Sequence, residues 1–250
     1  VLRQSLMWGA LESIAYNQNR QMPDMKGFEF GSTYFKEEEG YVQNDRLSIF
    51  LTGTRDGENW DTKTVKSSYY DLSAVVSELL SRFDLNDVKQ SDVDDELYQQ
   101  ARLWTHKDAV IAKAGIVAQN VLKKFDVKQA VYFADIDWTY ITAHTHGRKM
   151  QVKDIPKFPA VRRDFSLLLD SGVEFQRIEE LAVQSAGPLL KEVGLFDVYE
   201  GKNLPEGKKS YAVSFIIQDE NKTLTDKVVD KLMKKIQERL EQDLGASLRG

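Results

Sequence analysis

The sequence predicts an α+β chain in two parts, and three observations predict it. Pro159, in the stretch Lys157-Phe158-Pro159-Ala160-Val161-Arg162-Arg163-Asp164-Phe165, fixes its own φ and pushes Phe158 toward an extended conformation, so the chain enters the next element straight. From there onward the pattern runs strand, helix, strand, strand, helix, strand, which is the split βαβ, or ferredoxin-like, arrangement. Before it, helical stripes and short apolar strands are interleaved, with polar sequence over 144–149 marking the join. The boundary falls near 150–157, and the two parts are drawn as 1–153 and 154–250.

In the first part, Leu2, Leu6, Ala10, Leu11, Ile14 and Ala15 recur at helical spacing, predicting an amphipathic helix to about Asn19 that Pro23-Asp24 breaks. Phe28 and Phe30 alternate with Glu29 and Gly31 in a strand running to about Phe35, and Glu37-Glu38-Glu39-Gly40 is its turn. Arg46 to Thr52 is a second strand. Leu72, Val75, Val76, Leu79, Leu80 and Phe83 form a helical stripe with Asp71 as its cap. Acidic and polar residues dominate from Asp84 to Tyr98, predicting an exposed loop or insertion. Ala109–Val117 and Ala130–Ile136 read as strands joined by a short helix over Ala118–Phe125. Asp137–Ile141 starts a terminal helical turn, and Met150–Ile155 is a candidate short strand.

In the second part, strand Arg163–Asp170 leads to a helix with Phe175, Ile178, Leu181, Ala182 and Ser185 on one face, stopped by Gly187-Pro188. Leu190–Tyr199 and Ser210–Gln218 are the next strands. Thr225 caps a long helix whose stripe is Val228, Leu232, Ile236, Leu240 and Leu244. Gly245 ends it, and Ala246–Arg249 closes the sheet. Both helices then cover one sheet face and leave the other for a partner. Strand alternation assigns the side chains. With Phe165, Leu167 and Leu169 inward, Ser166 faces out; with Tyr211, Val213, Phe215 and Ile217 inward, Ser210 faces out. In the middle strand, Phe196 and Val198 inward leave Leu195, Asp197 and Tyr199 outward. Ser166, Asp197 and Ser210 should therefore share the open face, where small hydroxyls and a carboxylate suit close approach to base edges or ribose.

Composition limits the chemistry. No apolar run approaches the roughly 18 residues of a membrane span, and no basic–apolar leader opens the chain, so a soluble intracellular protein without membrane contact is the default expectation. The absence of cysteine excludes disulfides and thiolate metal sites. The net charge is −5, with 19 basic and 23 acidic residues up to Asp154 and 15 and 16 after it. Neither part has the basic excess of a non-specific nucleic-acid binder, so any RNA recognition must be local and shape-specific. His144 and His146 would share a side on a strand, but only His106 is left to complete a metal site, and a solvated linker is the simpler reading. No phosphate-binding glycine loop or nucleophile elbow occurs. Arg162 and Arg163 frame a strand entrance and Arg249 ends the closing strand; an ion pair with Asp164 is the structural alternative for the first two. On residue chemistry alone no active site is visible, and a binding or assembly module is favoured. An amphipathic pattern already running at Val1 fits a fragment of a longer chain.

Several motifs then agree in order and spacing: K-F-P-A-V-R-R-D-F-S at 157–166, L-F-D-V-Y-E-G at 195–201, L-P-E-G-K-K-S-Y-A at 204–212, T-L-T-D at 223–226 and G-A-S-L-R at 245–249. Together they resemble the ferredoxin-fold anticodon-binding domain of the bacterial phenylalanine–tRNA ligase β-subunit family. Leu2-Arg3-Gln4-Ser5-Leu6, Gly9, Asn17, Asn19, Arg20 and Phe28-Glu29-Phe30-Gly31 resemble that subunit's catalytic-like module. The resemblance implies a class II synthetase-like fold for 1–153, truncated at its N-terminus: a mixed, mostly antiparallel sheet with helices. Class II enzymes place an ATP-binding arginine after a strand like 26–35; here Lys36 stands there ahead of three glutamates, and the later glycine-rich strand ending in arginine is missing. The resemblance therefore implies a pseudo-catalytic module with no cofactor of its own, ATP and Mg²⁺ being used by the α subunit, and proofreading by domains upstream of Val1. It further implies a cytoplasmic (αβ)₂ heterotetramer acting on tRNA(Phe), with anticodon contacts at Ser166, Asp197, Ser210 and Arg249 and support from Arg162 and Arg163. A free-standing RNA-binding or assembly protein on the same folds is the alternative.

Overall fold

Among the described residues, strand pairing sorts the chain into two sheets, each lined by helices. The structure is a computed structural model describing residues 2–38, 40–85, 87–147 and 155–249. It divides into two compact units, Val1–Met150 and Gln151–Gly250.

In the first unit, α1 (Met7–Gln18) precedes the long hairpin β1 (Met25–Glu37) and β2 (Gly40–Thr52). Then come α2 (Tyr69–Arg82), β3 (Val88–Val93), β4 (Tyr98–His106), β5 (Ala109–Val117), α3 (Gln119–Lys124), β6 (Val131–Asp137) and α4 (Trp138–Thr145). The six strands form one antiparallel sheet in the order β1-β2-β6-β5-β4-β3. The two-residue period gives each face its own core. Phe50, Phe133 and Val117 meet Leu11 and Ile14 of α1 and Leu122 of α3. Leu47, Ile49, Ala134 and Ile136, on the other face, meet Leu72, Val76 and Leu80 of α2 and Ile141 of α4. Gly115 is required where β5 crosses β4, since a Cβ there would lie 2.2 Å from the Gln100 carbonyl oxygen.

Four expectations for this unit need correction. The stretch Asp84–Tyr98 is not a loop: Val88–Val93 pairs along β4 as the outermost strand. Only one of its sides is hydrogen-bonded, so Lys89, Ser91 and Asp92 stay in water and hide the strand's apolar alternation. Strand β4, with Gln99, Gln100 and Arg102 among its apolar residues, was likewise absent from the expected strands. The cap of α2 is Ser68, not Asp71; its Oγ accepts from the Asp71 N–H while Asp71 Oδ2 accepts from the Ser68 N–H at 2.8 Å, a reciprocal capping box. Helix α1 begins at Met7, leaving Leu2 exposed. Most of the candidate strand Met150–Ile155, and Glu39 in the hairpin turn, lie outside the described residues.

The second unit has β7 (Val161–Asp170), α5 (Phe175–Ala186), a 3₁₀ turn (Gly187–Leu189), β8 (Leu190–Tyr199), β9 (Lys208–Ile217), α6 (Asp226–Leu244) and β10 (Ser247–Leu248). The sheet order is β10-β7-β9-β8, antiparallel throughout, so β9 splits the β7-α5-β8 unit in the ferredoxin-like way. Strand β8, expected in the middle, is therefore at an edge. Helices α5 and α6 pack on one face through Ile178, Leu181, Ile236 and Leu240 against Leu167, Leu169, Val213 and Phe215. Gly245 adopts a left-handed conformation (φ +61°), reversing the chain from α6 into β10.

The buried stripe of α6 is Val229, Met233, Ile236 and Leu240, not the strict four-residue series from Val228. A four-residue step overshoots the 3.6-residue turn, so the series Val228, Leu232, Ile236 leaves the core at its early end. Val228 is 41 % exposed and Val229 1 %. Neighbouring valines thus supply an internal control. Val229→Ala should cost about 1.5–3 kcal/mol, and Val228→Ala less than about 0.5 kcal/mol, in urea unfolding followed by circular dichroism.

Candidate nucleic-acid interface

The face of the second sheet turned away from α5 and α6 is built by register. Ser166 on β7 and Asp197 on β8 both pair with Ala212 on β9. The Arg249 backbone N–H donates to the Ser166 carbonyl at 2.8 Å, just beyond the β10–β7 pairing. Arg249, Ser166, Ala212 and Asp197 therefore form one row across four strands, spanning about 14 Å at the usual strand spacing. The neighbouring row is Leu168, Ser210 and Tyr199. Ser166 Oγ and Ser210 Oγ are 3.5 Å apart, at the limit of a hydrogen bond.

Asp197 and Arg249 are exposed, and neither has an ion-pair partner among the described residues. Ser210 is recessed, 7 % exposed, between the larger Leu168 and Tyr199. Ser166 is half-buried. The arrangement offers a cation and a carboxylate at opposite ends of a floor of small side chains. Such a surface can donate to phosphate or stack at one end and accept from a base edge at the other.

The two arginines of the strand entrance part company. Arg163 pairs across to Phe215 on the helix side and reaches Asp226 in the first turn of α6 at 3.2 Å. Arg162 lies on the open face, where its Nε donates to Asp164 Oδ1 at 2.8 Å, a bond that strengthens its hold on the proton. Strand alternation fails at β8. A register shift between Leu195 and Asp197 inserts Phe196 as an extra residue, so Leu195 turns inward to pair with Val213, and Phe196, expected in the core, is 55 % exposed. Val198 pairs with inward Tyr211 yet is 48 % exposed at the sheet edge. No sequence signal announces the bulge, because the run Leu195–Tyr199 fits either phase.

In the first unit, two sheet cations, Arg46 and Lys113, are held by carboxylates. Arg46 contacts Asp135 at 2.9 Å and Asp137 at 3.4 Å, and Lys113 contacts Asp95 at 2.6 Å. Lys36 is exposed near the tip of the β1–β2 hairpin, paired in register with Tyr41. A cleft of about 740 Å³ is lined by Tyr69, Asp92, Asp94, Tyr98 and Arg102, with Arg102 ion-paired to Asp92 at 2.7 Å. Its acidic lining does not suit a nucleotide's phosphates. His144 is on α4 and His146 caps its end, so the strand geometry that would align them is absent. His144 instead packs edge-on against His106, at 4.9 Å between ring centroids, and stacks on Tyr140.

Two family models match the chain: the phenylalanyl tRNA synthetase beta chain CLM domain over residues 1–138, and the ferredoxin-fold anticodon binding domain over residues 156–249. The chain belongs to the phenylalanyl-tRNA synthetase β-chain family. Among its relatives, the phenylalanine–tRNA ligase beta subunit of Bacteroides fragilis is 43 % identical over 260 residues, covering 99 % of this chain and 32 % of the relative. The beta subunit of Porphyromonas gingivalis is 38 % identical over the same shares, and that of Thermotoga maritima 34 % identical over 98 % of this chain and 31 % of the relative. The chain thus spans about a third of the length of the family members it matches.

The Asp95–Lys113 pair makes an acid-sensitive tie. Burial pushes the Asp95 carboxyl up, but the Lys113 hydrogen bond, the Leu97 N–H and the Lys113 charge together hold it below its ordinary value. A depressed carboxylate contributes stability above its unfolded pKa and loses it as pH falls through the folded value. The wild-type melting temperature should therefore fall as pH drops below about 4. Asp95→Asn should melt lower at pH 7, with the gap to wild type closing below that pH, as read by thermal melts across a pH series.

Proposed function

We propose that this chain is the C-terminal portion of the β subunit of phenylalanine–tRNA ligase, and that its second unit holds the anticodon loop of tRNA(Phe). Residues 154–250 serve as the anticodon-binding domain, with Asp197 and Arg249 as principal contacts. Ser166 supplies a small hydroxyl between them, and Ser210 acts from its recess through Ser166. Residues 1–153 form a pseudo-catalytic, class II-like module that docks the α subunit. The observation that carries this reading is the transverse row Arg249–Ser166–Ala212–Asp197 on a helix-free sheet face, with both charged ends exposed. The self-paired cations of the first sheet, Arg46 and Lys113, support the absence of a nucleotide site there.

The holoenzyme is a cytoplasmic (αβ)₂ heterotetramer in which the α subunit, with ATP and Mg²⁺, activates phenylalanine. The exposed Lys36 near a hairpin tip and the acidic lining of the cleft support a module that leaves ATP to the α subunit. This chain's contribution to the reaction is positional. By gripping the far end of the tRNA it raises the effective concentration of the acceptor end at the α subunit's active site.

The test uses the full heterotetramer carrying Asp197→Ala or Arg249→Ala. Each should weaken tRNA(Phe) in filter binding about ten- to a hundredfold, the loss expected for a hydrogen bond to a charged group. Phenylalanyl-adenylate formation, followed by pyrophosphate exchange, should stay near wild type. An anticodon-swapped tRNA should bind wild type and variants alike. Equal loss of both activities would indicate damage to the fold instead.

A further inference from the structure

We infer that Phe196 is a stacking platform for one unpaired base of the bound RNA, adjoining Arg162, a subsite separate from the polar row. The inference rests on the anticodon-loop reading above and adds an aromatic contact to it. Three observations carry it. The register shift between Leu195 and Asp197 exists at the position of Phe196, and bulges of this kind re-aim a side chain at the expense of local pairing. The ring so turned out is 55 % exposed, forfeiting burial that the neighbouring Leu195 retains against the core. Third, the Arg162 guanidinium lies 5.1 Å from the ring centroid although Arg162 is on β7 and Phe196 on β8, with β9 between them. Arg162 can reach across only over the open face, so the ring is on that face.

The ground between them is low. Asp164, Ser214 and Gly194 form the row beneath Arg162's path, and Ser214 Oγ is tied down to the Gly194 carbonyl at 3.3 Å. Ser214, Gly194 and Ala212 are the small residues beside the ring on the side of Asp197, while Ile216 and Glu192 share the row of Arg162. Asp164 orients Arg162 through its 2.8 Å bond, and the guanidinium lies over one face of the ring, which leaves the other face for a base. An aromatic face beside a guanidinium is the chemistry that takes unstacked nucleobases, since every base has a π-face and needs no particular edge. Arg162 thereby acquires a role through Phe196 rather than as a phosphate contact, its charge being already met by Asp164.

The experiment compares Phe196→Leu, Phe196→Ala and Phe196→Tyr in the full heterotetramer, with Asp197→Ala alongside. Phe196→Leu keeps apolar bulk but removes the π-face, and it decides the matter if Phe196→Ala fails to fold. Both should weaken tRNA(Phe) binding about 5- to 100-fold, while Phe196→Tyr stays within about twofold of wild type. The slope of log affinity against log salt should not change, since stacking releases no counterions. Adenylate formation should be unaffected. Wild-type affinity in Phe196→Leu, or failure of Phe196→Tyr to restore binding, would overturn the inference. If Asp197→Ala weakens binding while Phe196→Leu does not, the platform alone is wrong; if neither does, the anticodon-loop reading falls with it.

Discussion

Strand β9 is the constraint on which the second unit depends. It is hydrogen-bonded on both sides, and Tyr211, Val213, Phe215 and Ile217 are all buried beneath the helices. With that phase fixed, Ser210, Ala212 and Ser214 have nowhere to go but the opposite face, and each cross-strand partner follows. The positions of Ser166 and Asp197 are consequences of two pairings to the single residue Ala212. A one-residue slip of β9 would bury hydroxyls under α5 and α6 and expose two aromatic rings. The open face is therefore as strongly specified as the core, because the same residues specify both.

Much of this was legible in the sequence, for a physical reason. Where a strand is covered on one face only, burial writes a two-residue alternation, and β7 and β9 carry it plainly. Helix α5 was equally clear because Ile178, Leu181, Ala182 and Ser185 lie on one side of a short amphipathic helix. Legibility failed where pairing, not burial, decides. Val88–Val93 is a strand because β4 offers it hydrogen bonds, while its own side chains stay in water. Phe196 is out because of a register shift that only the partner strand defines. Arg163 and Arg162, adjacent in sequence, look equivalent until alternation sends one toward Asp226 and the other over Phe196. Arg249 was found by its family motif, and only the hydrogen bond to Ser166 explains physically why it belongs with the others.

In the first unit, two cations of the sheet carry their own carboxylates. Arg46 sits between two carboxylates, and Lys113 is bonded to Asp95 and lies 5.5 Å from the Tyr98 ring centroid. Burial pushes the Tyr98 phenol up, with Asp135 and Asp95 adding to the effect. A phosphate approaching Arg46 or Lys113 would have to displace carboxylates already within contact distance.

The irregularity of β8 has one more consequence. An outermost strand with a regular ladder presents unpaired N–H and C=O groups in register, which invites another chain to add itself. Strand β8 is broken twice, between Leu190 and Glu192 and between Leu195 and Asp197. The longest uninterrupted stretch, Glu192–Leu195, is four residues, so the edge offers an incoming chain a shorter ladder beside its exposed phenylalanine. The bulge that turns an aromatic ring toward solvent also blunts the sheet's edge.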